Sequence, residues 1–129
     1  MSDPVWIDER TALALHNRLL VLHGGAAGVR DAGLLQSALA RPRQLAAYGD
    51  AAGKIALAAA LTFGIVKNHP FVDGNKRTGF VAGILFLELN GDCFSASEED
   101  AINAILGLAA GSLDQAGYAA FLRANTNLP

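Results

Sequence analysis

Residues 68–80 read NHPFVDGNKRTGF, and this stretch organises the rest of the chain. It lies between two apolar runs, residues 55–66 and residues 80–89, which both have the composition of a buried helix. Burying an imidazole, a carboxylate, an amide and two cations without partners would be costly. The alternative is a polar turn with a satisfied histidine and a surface Lys–Arg pair. The clustering of all these groups indicates a site rather than a turn.

The turn residues predict how the stretch is shaped. Pro70 and Gly74 keep the two helices from fusing, because proline disfavours helical backbone in the preceding residue and glycine admits a positive φ. Asp73 before Gly74 is typical of a turn, and Asn75 is the predicted N-cap of the next helix. The backbone N–H groups of residues 74–77 would then point into the loop, which predicts an anion site at the positive end of the helix dipole.

The charged residues of the stretch indicate phosphate chemistry. Lys76 and Arg77 lie in the first helical turn, where the dipole disfavours cations, so a phosphate is expected to compensate them. Asp73 is a hard oxygen ligand suited to Mg²⁺ carried on a polyphosphate. His69 is the predicted general base, because it is the only nearby group that takes a proton near neutral pH. Phe71 is the predicted anchor of the loop in the core.

Residues 69–77, HPFVDGNKR, resemble the signature of the Fic/Doc family, in which a loop and a helix N-terminus hold the phosphates of a nucleotide. The chain is more similar to the Doc (death-on-curing) toxin branch than to the AMP-transferring Fic branch. Fic proteins usually have glycine at the position of Lys76 and a second arginine at that of Phe80. Residues 28–42 (GVRDAGLLQSALARP) and 86–91 (FLELNG) also resemble the Doc branch.

The resemblance implies ATP as substrate, with Mg²⁺ on Asp73 through the nucleotide. His69 would take the proton of an incoming protein hydroxyl, and Asn75 would help to stabilise the transferring phosphorus centre. The residues predicted to act directly in transfer are His69, Asp73, Asn75 and Arg77. The residues predicted to hold the phosphates are Gly74, Asn75, Lys76 and Arg77.

The resemblance also implies a target and a partner. Doc-like toxins transfer the γ-phosphate to elongation factor Tu, whereas Fic-like enzymes leave AMP on their target. Lys76 and Phe80 favour phosphate transfer, and AMP transfer stays open as the alternative. The chain shows no inhibitory Ser/Thr-x-x-x-Glu-Gly/Asn helix, which fits inhibition by a small antitoxin of the Phd kind with a partly disordered tail. A catalytically silent module that blocks the translation machinery sterically is the alternative from another class.

Size and composition predict a single all-α domain over residues 1–129. The 52% hydrophobic fraction is rich in Ala and Leu, and the chain also has 14 Gly, which together suit a compact bundle of closely packed helices. A net charge of −2 argues against direct nucleic-acid binding, and the longest apolar run is too short to span a membrane. The single cysteine excludes an internal disulfide. No signal-peptide pattern is found, so the cytoplasm is the expected location.

Capping and apolar patterns place about six helices along the chain. Asp8 is the predicted cap of a first helix to about His23, and Asp31 that of a second over residues 32–40, closed by Pro42. Residues 41–49 are predicted to form an irregular flap, which the family resemblance implies would pair with the target's backbone.

The second half of the chain continues the helical pattern. A third helix is predicted over residues 50–67 and a fourth from the motif to Asn90. The fourth is apolar almost all round, which predicts the central buried helix. Ser95 with Glu98 forms a capping box that predicts a fifth helix to about Ala110. Ser112 with Gln115 forms another, which predicts a last helix to about Asn125.

Other polar residues carry weaker predictions. His16 and His23 lie on the first helix without metal-ligand company, and they are predicted to be surface or boundary residues. Cys93 has no histidine or basic residue near it in sequence, and it is predicted to be a buried thiol rather than a nucleophile. Arg30 and Asp31 could either touch a substrate or serve as a capping pair.

Overall fold

The computed structural model describes residues 3–48 and 53–127 of the chain. This part of the chain forms six α-helices and no strand beyond two isolated bridges. The helices are α1 (Glu9–His23), α2 (Ala32–Tyr48), α3 (Lys54–Asn68), α4 (Asn75–Leu89), α5 (Glu98–Ala110) and α6 (Gln115–Ala124). The all-α prediction is confirmed. Asp50, the predicted start of the third helix, lies outside the described residues.

Two predicted helix starts carry the expected side-chain caps. Asp8 Oδ1 accepts the amide of Thr11 at 2.8 Å at the start of α1. The hydrogen bond from the Thr11 backbone is the main reason that the pKa of Asp8 lies below its ordinary value. Asp31 Oδ1 accepts the amide of Leu34 at 2.9 Å at the start of α2. In both cases a carboxylate satisfies an N–H group that the helix leaves without a partner.

The caps of the last two helices differ from the predicted ones. Ser97 rather than Ser95 caps α5, and Asp114 rather than Ser112 caps α6. Ser95 is held elsewhere, because its amide donates to the carbonyl of Asn125 at 2.8 Å. The hydroxyl of Ser112 donates back into α5 instead. Tertiary and turn contacts therefore decide which of two nearby acceptors becomes the cap.

The second helix is longer than predicted, because it continues through Pro42 to Tyr48. Proline removes one helical hydrogen bond and crowds the preceding turn. Here Pro42 is buried, and the neighbouring Arg41 lies over the ring of Phe63 at 4.8 Å, so packing against α3 offsets the loss. The predicted flap is therefore wrong for residues 41–48, and residue 49 lies outside the described chain.

The most enclosed helix is α3, which packs against α2, α4, α5 and α6. Small residues let its neighbours approach closely. A Cβ atom added to Gly64 would lie 3.1 Å from the Cα of Ala38 on α2. A Cβ atom added to Gly83 on α4 would overlap the hydroxyl of Thr62, which donates to the carbonyl of Gly79 at 2.7 Å. The α3–α4 pair therefore forms a rigid support for the loop between them.

The fourth helix shares the core but does not occupy its centre. It packs against α1, α3 and α5, and its buried face includes Ala82, Phe86 and Leu87. Phe80 and Ile84 on another face are only half-buried and line a groove. No helix among the described residues is long and apolar enough to cross a membrane.

Candidate active site

The motif loop runs from the end of α3 to the start of α4 and begins and ends in left-handed backbone. His69 is the C-cap of α3 with φ 50° and ψ 54°. Gly74 is the N-cap of α4 with φ 79° and ψ 19°. Left-handed backbone costs about 1–2 kcal/mol at a residue with a Cβ atom, so the strain falls on His69 and not on the glycine. Strained residues of this kind cluster at functional sites.

Asn75 closes the loop from inside and is the first helical residue rather than the predicted N-cap. Its side chain is 5% exposed. Its Oδ1 accepts the amide of Phe71 at 2.9 Å, and its Nδ2 donates to the carbonyl of the same residue at 2.9 Å. Nδ2 also lies 3.2 Å from Nδ1 of His69. Within the described residues, every hydrogen bond of the Asn75 side chain is to another residue of the loop.

This clamp favours one tautomer of the neutral His69 ring. The two backbone groups of Phe71 fix which end of the Asn75 amide is oxygen, so the remaining N–H of Asn75 faces His69 Nδ1. Nδ1 is therefore the acceptor, and the neutral ring carries its proton on Nε2. In this tautomer, the nitrogen that can accept a proton from a hydroxyl is Nδ1, which the Asn75 N–H contacts. The ring is exposed, and the 3.2 Å contact is long for a hydrogen bond.

The segment after α1 holds the loop from outside. Val72 donates its amide to Gly28 at 3.0 Å, and Arg30 donates its amide to Pro70 at 2.7 Å. The guanidinium of Arg30 also donates to the carbonyl of His69 at 2.7 Å and to that of Asn68 at 2.9 Å. A cation at the C-terminal carbonyls of α3 interacts favourably with the helix dipole. Arg30 therefore supports the backbone of His69, while Asp31 is a cap.

Asp73 presents an exposed carboxylate at the tip of the loop. Its Oδ1 accepts the amide of Gly74 at 2.8 Å, and its Oδ2 accepts the amide of Ala26 at 3.2 Å. These bonds orient the group and leave oxygen lone pairs for a cation. Within residues 3–48 and 53–127, no cluster of three or more His, Cys, Asp or Glu could hold a metal. A single carboxylate would fit Mg²⁺ only as one ligand of an ion whose other ligands came from a phosphate group and water.

His16 lies beneath this loop, and the prediction of a surface or boundary position for it is wrong. Its side chain is 2% exposed, and its ring stacks on Phe71 with centroids 3.8 Å apart and planes within 8°. Phe71 is completely buried, as an anchor of the loop requires. His16 is 57 residues from Asp73, whose carbonyl it contacts. Spacing along the chain therefore gave no signal for its place in the site.

Lys76 and Arg77 form the cationic edge of the site. Both are exposed, and among the described residues no side chain caps α4 and no acidic residue lies in its first turn. They border a cavity of about 250 Å³ that also takes in His69 and residues 72–75. They also border a second cavity of about 750 Å³, whose apolar lining includes Phe80. The smaller cavity can receive phosphate groups, and the larger one is a groove beside it.

Cys93 lies outside this site, and the prediction of a buried thiol is wrong because the residue is exposed. Its amide donates to the side-chain Oδ1 of Asn127 at 2.9 Å, and its carbonyl accepts the amide of Asn127 at 2.7 Å. Both bonds use the backbone of Cys93, so they do not depend on its thiol. His23 is exposed, as predicted, and borders the larger cavity.

Comparison with known proteins identifies the class to which this fold and loop belong. The model of the Fic/DOC family matches residues 6–87, and the chain belongs to the Fic/Doc family. A protein named Toxin Doc, from Mycolicibacterium smegmatis, is 48% identical over 73 residues, which are 55% of this chain and 55% of that protein. The chain thus matches about half the length of this relative.

A second relative matches over nearly the whole chain. It is named Protein kinase doc, from Escherichia phage P1, and is 29% identical over 117 residues, or 91% of this chain and 92% of that protein. The resemblance to the Doc toxin branch is therefore confirmed.

Proposed function

We propose that this protein is the toxin of a type II toxin–antitoxin system and transfers the terminal phosphate of ATP to a hydroxyl of a translation factor resembling elongation factor Tu. The observation that carries the proposal is the motif loop. It holds a strained, exposed His69 beside the N-terminus of α4, where two cations lie and no described side chain acts as a cap. The names of the two relatives, a toxin and a protein kinase, support the same reading.

In this proposal each exposed group of the loop has one task. Arg77 and Lys76 hold the phosphates at the N-terminus of α4, where backbone N–H groups add further donors. Asp73 would hold Mg²⁺, which would neutralise charge on the phosphates of a bound nucleotide. His69 accepts the proton of the target hydroxyl at Nδ1. The hydroxyl oxygen bonds to the γ-phosphorus, and the bond from that phosphorus to ADP breaks.

Two positions of α4 favour phosphate transfer over AMP transfer. Lys76 adds a side chain and a charge at the anion-binding turn, which crowds the space for a diphosphate there. Phe80 cannot supply a guanidinium to hold distal phosphates, and its ring packs edge-on against Phe94 with centroids 6.0 Å apart. Both features favour the nucleotide orientation in which the terminal phosphate faces His69.

Labelled ATP tests this proposal. Purified protein is incubated with Mg²⁺, elongation factor Tu and ATP labelled separately at the α and γ positions, with His69→Ala as the control. Label on the factor only from the γ position, and only with intact His69, is the expected result. Label only from the α position would mean AMP transfer. The steric-block alternative is tested by expressing both proteins in bacteria. Growth arrest that persists in His69→Ala, together with no label on the factor from either position, would mean a steric block.

The proposed partner is a small antitoxin of the Phd kind, which acts in the cytoplasm where translation takes place. The groove beside the motif suits an apolar segment of such a partner, because Phe80, Phe94 and Ile105 line it. Lys76 and Arg77 at its border would favour an acidic residue in that segment. A substitution that adds charge to the apolar wall, such as Ile105→Arg, is expected to weaken antitoxin binding in calorimetry.

A further inference from the structure

The geometry points to His16 as a positioning residue for the Asp73–Gly74 turn of the active-site loop. The inference rests on the proposed function, because it concerns the residue that would carry Mg²⁺. His16 would not touch nucleotide or target itself, since its side chain is 2% exposed. Its effect would pass through the backbone of Asp73.

The first observation is a hydrogen bond between distant parts of the chain. Nε2 of His16 lies 2.8 Å from the carbonyl oxygen of Asp73. A carbonyl oxygen can only accept, so the N–H of the imidazole must be on Nε2 and must point at the loop. This bond holds the peptide unit between Asp73 and Gly74, where the backbone turns left-handed at φ 79°.

The second observation is that the ring of His16 cannot readily turn. Its face lies flat on Phe71 at 3.8 Å, and Phe71 is completely buried. Asn75 holds the backbone of Phe71, while His16 holds its side chain. The donor of His16 is therefore kept in one direction by packing. A leucine or phenylalanine would fill the same space without an N–H group, so packing alone does not require histidine.

The third observation is that the end of α1 and the residues after it support the same turn. A Cβ atom added to Gly25, whose φ is 123°, would lie 2.9 Å from Asp73 Oδ2 and 3.0 Å from Leu20 Cδ2. The amide of Ala26 donates to the same carboxylate oxygen at 3.2 Å. The carbonyl and the carboxylate of Asp73 are thus both held from the side of α1.

This support matters for transfer because a displacement of about 1 Å at a reacting centre can cost about a hundredfold in rate. His16→Phe keeps an aromatic face on Phe71 and removes the N–H donor together with the second ring nitrogen. We expect it to fold, to lower phosphate transfer about tenfold to a hundredfold, and to raise the Mg²⁺ concentration needed for half-maximal transfer. Amide hydrogen exchange at residues 72–77 should become faster than in the unsubstituted protein.

Two further variants separate positioning from stability. His16→Gln keeps an N–H donor without the ring and should restore part of the protection of the loop amides. Leu122→Ala removes a buried side chain on α6, which packs against α3 and α5 and makes no contact with α1. It should lower the unfolding temperature without changing exchange at residues 72–77 or the Mg²⁺ requirement.

The inference is overturned if His16→Phe leaves the loop amide exchange and the Mg²⁺ requirement unchanged. It is also overturned if Leu122→Ala, at the same loss of stability as His16→Phe, changes the loop exchange and the Mg²⁺ requirement as much as His16→Phe does. If His16→Phe does not fold, His16→Gln is compared with His16→Leu. Both variants lack the ring, and only His16→Gln keeps an N–H donor. Equal loop exchange in that pair also overturns it. Exchange is measured without substrate, so absent transfer in the unsubstituted protein would refute the proposed function while this test still stands.

Discussion

Asn75→Ala tests whether the buried amide of the motif holds the loop or acts on the phosphate. The alanine would leave the N–H and carbonyl groups of Phe71 without partners, and it would release Nδ1 of His69. Phe71 is completely buried and Asn75 is 5% exposed, so solvent cannot easily replace these bonds.

The structure gives the size of the expected effect. An orphaned buried backbone group costs about 1–3 kcal/mol, so two such groups cost about 2–6 kcal/mol in total. Partial relaxation of a loop near the surface brings the expected loss to about 2–4 kcal/mol. A domain of this kind has about 5–15 kcal/mol of stability, so the variant should fold with a clearly lower free energy of unfolding. Transfer should fall about a hundredfold, because the support of His69 is lost.

Urea denaturation followed by circular dichroism measures the stability, and γ-phosphate transfer measures the activity. Asn125→Ala is the matched control, because that amide makes one part-buried bond, to the Phe121 carbonyl at 2.8 Å. It should cost only about 1 kcal/mol. If Asn75→Ala keeps full stability and loses only turnover, the amide acts on the phosphorus centre and the clamp is not needed.

His69→Ala should lower transfer about 10²–10⁴-fold with little change in stability, because the ring is exposed, and wild-type turnover in the folded variant would remove His69 from the mechanism. Gly83→Ala should cost about 1–3 kcal/mol in thermal unfolding, because its methyl group would overlap the hydroxyl of Thr62; unchanged stability would mean that α3 and α4 adjust. Tyr118→Phe should be neutral or stabilise the fold by up to about 1–3 kcal/mol, because the buried hydroxyl lies near Thr62 without a hydrogen bond of normal geometry. Burial raises the pKa of Tyr118, so above about pH 10 the phenol ionises in the unfolded chain first and stability falls as the pH rises. Urea titrations below and above that pH should show a smaller fall in Tyr118→Phe, and an equal fall would contradict the burial argument.

Local signals in the sequence predicted much of the fold and the position of the site. Asp8 and Asp31 cap their helices through bonds to residues three positions later, and such bonds depend only on nearby chain. Apolar residues that recur every three or four positions predicted the helices, because the helical period is itself local. The clustered polar residues of the motif lie on one short loop, so they remain together whatever the rest of the chain does.

The tertiary structure decided which groups meet across long distances. His16 and Arg30 bond to the loop from 57 and 39 residues away, and no pattern in the sequence encodes those pairings. Pro42 is buried inside α2, which packs along α3 and continues to Tyr48, although the local preference of proline is to end a helix. Propensity and capping are settled within a few residues, whereas burial and buried hydrogen bonds depend on which helix faces pack together.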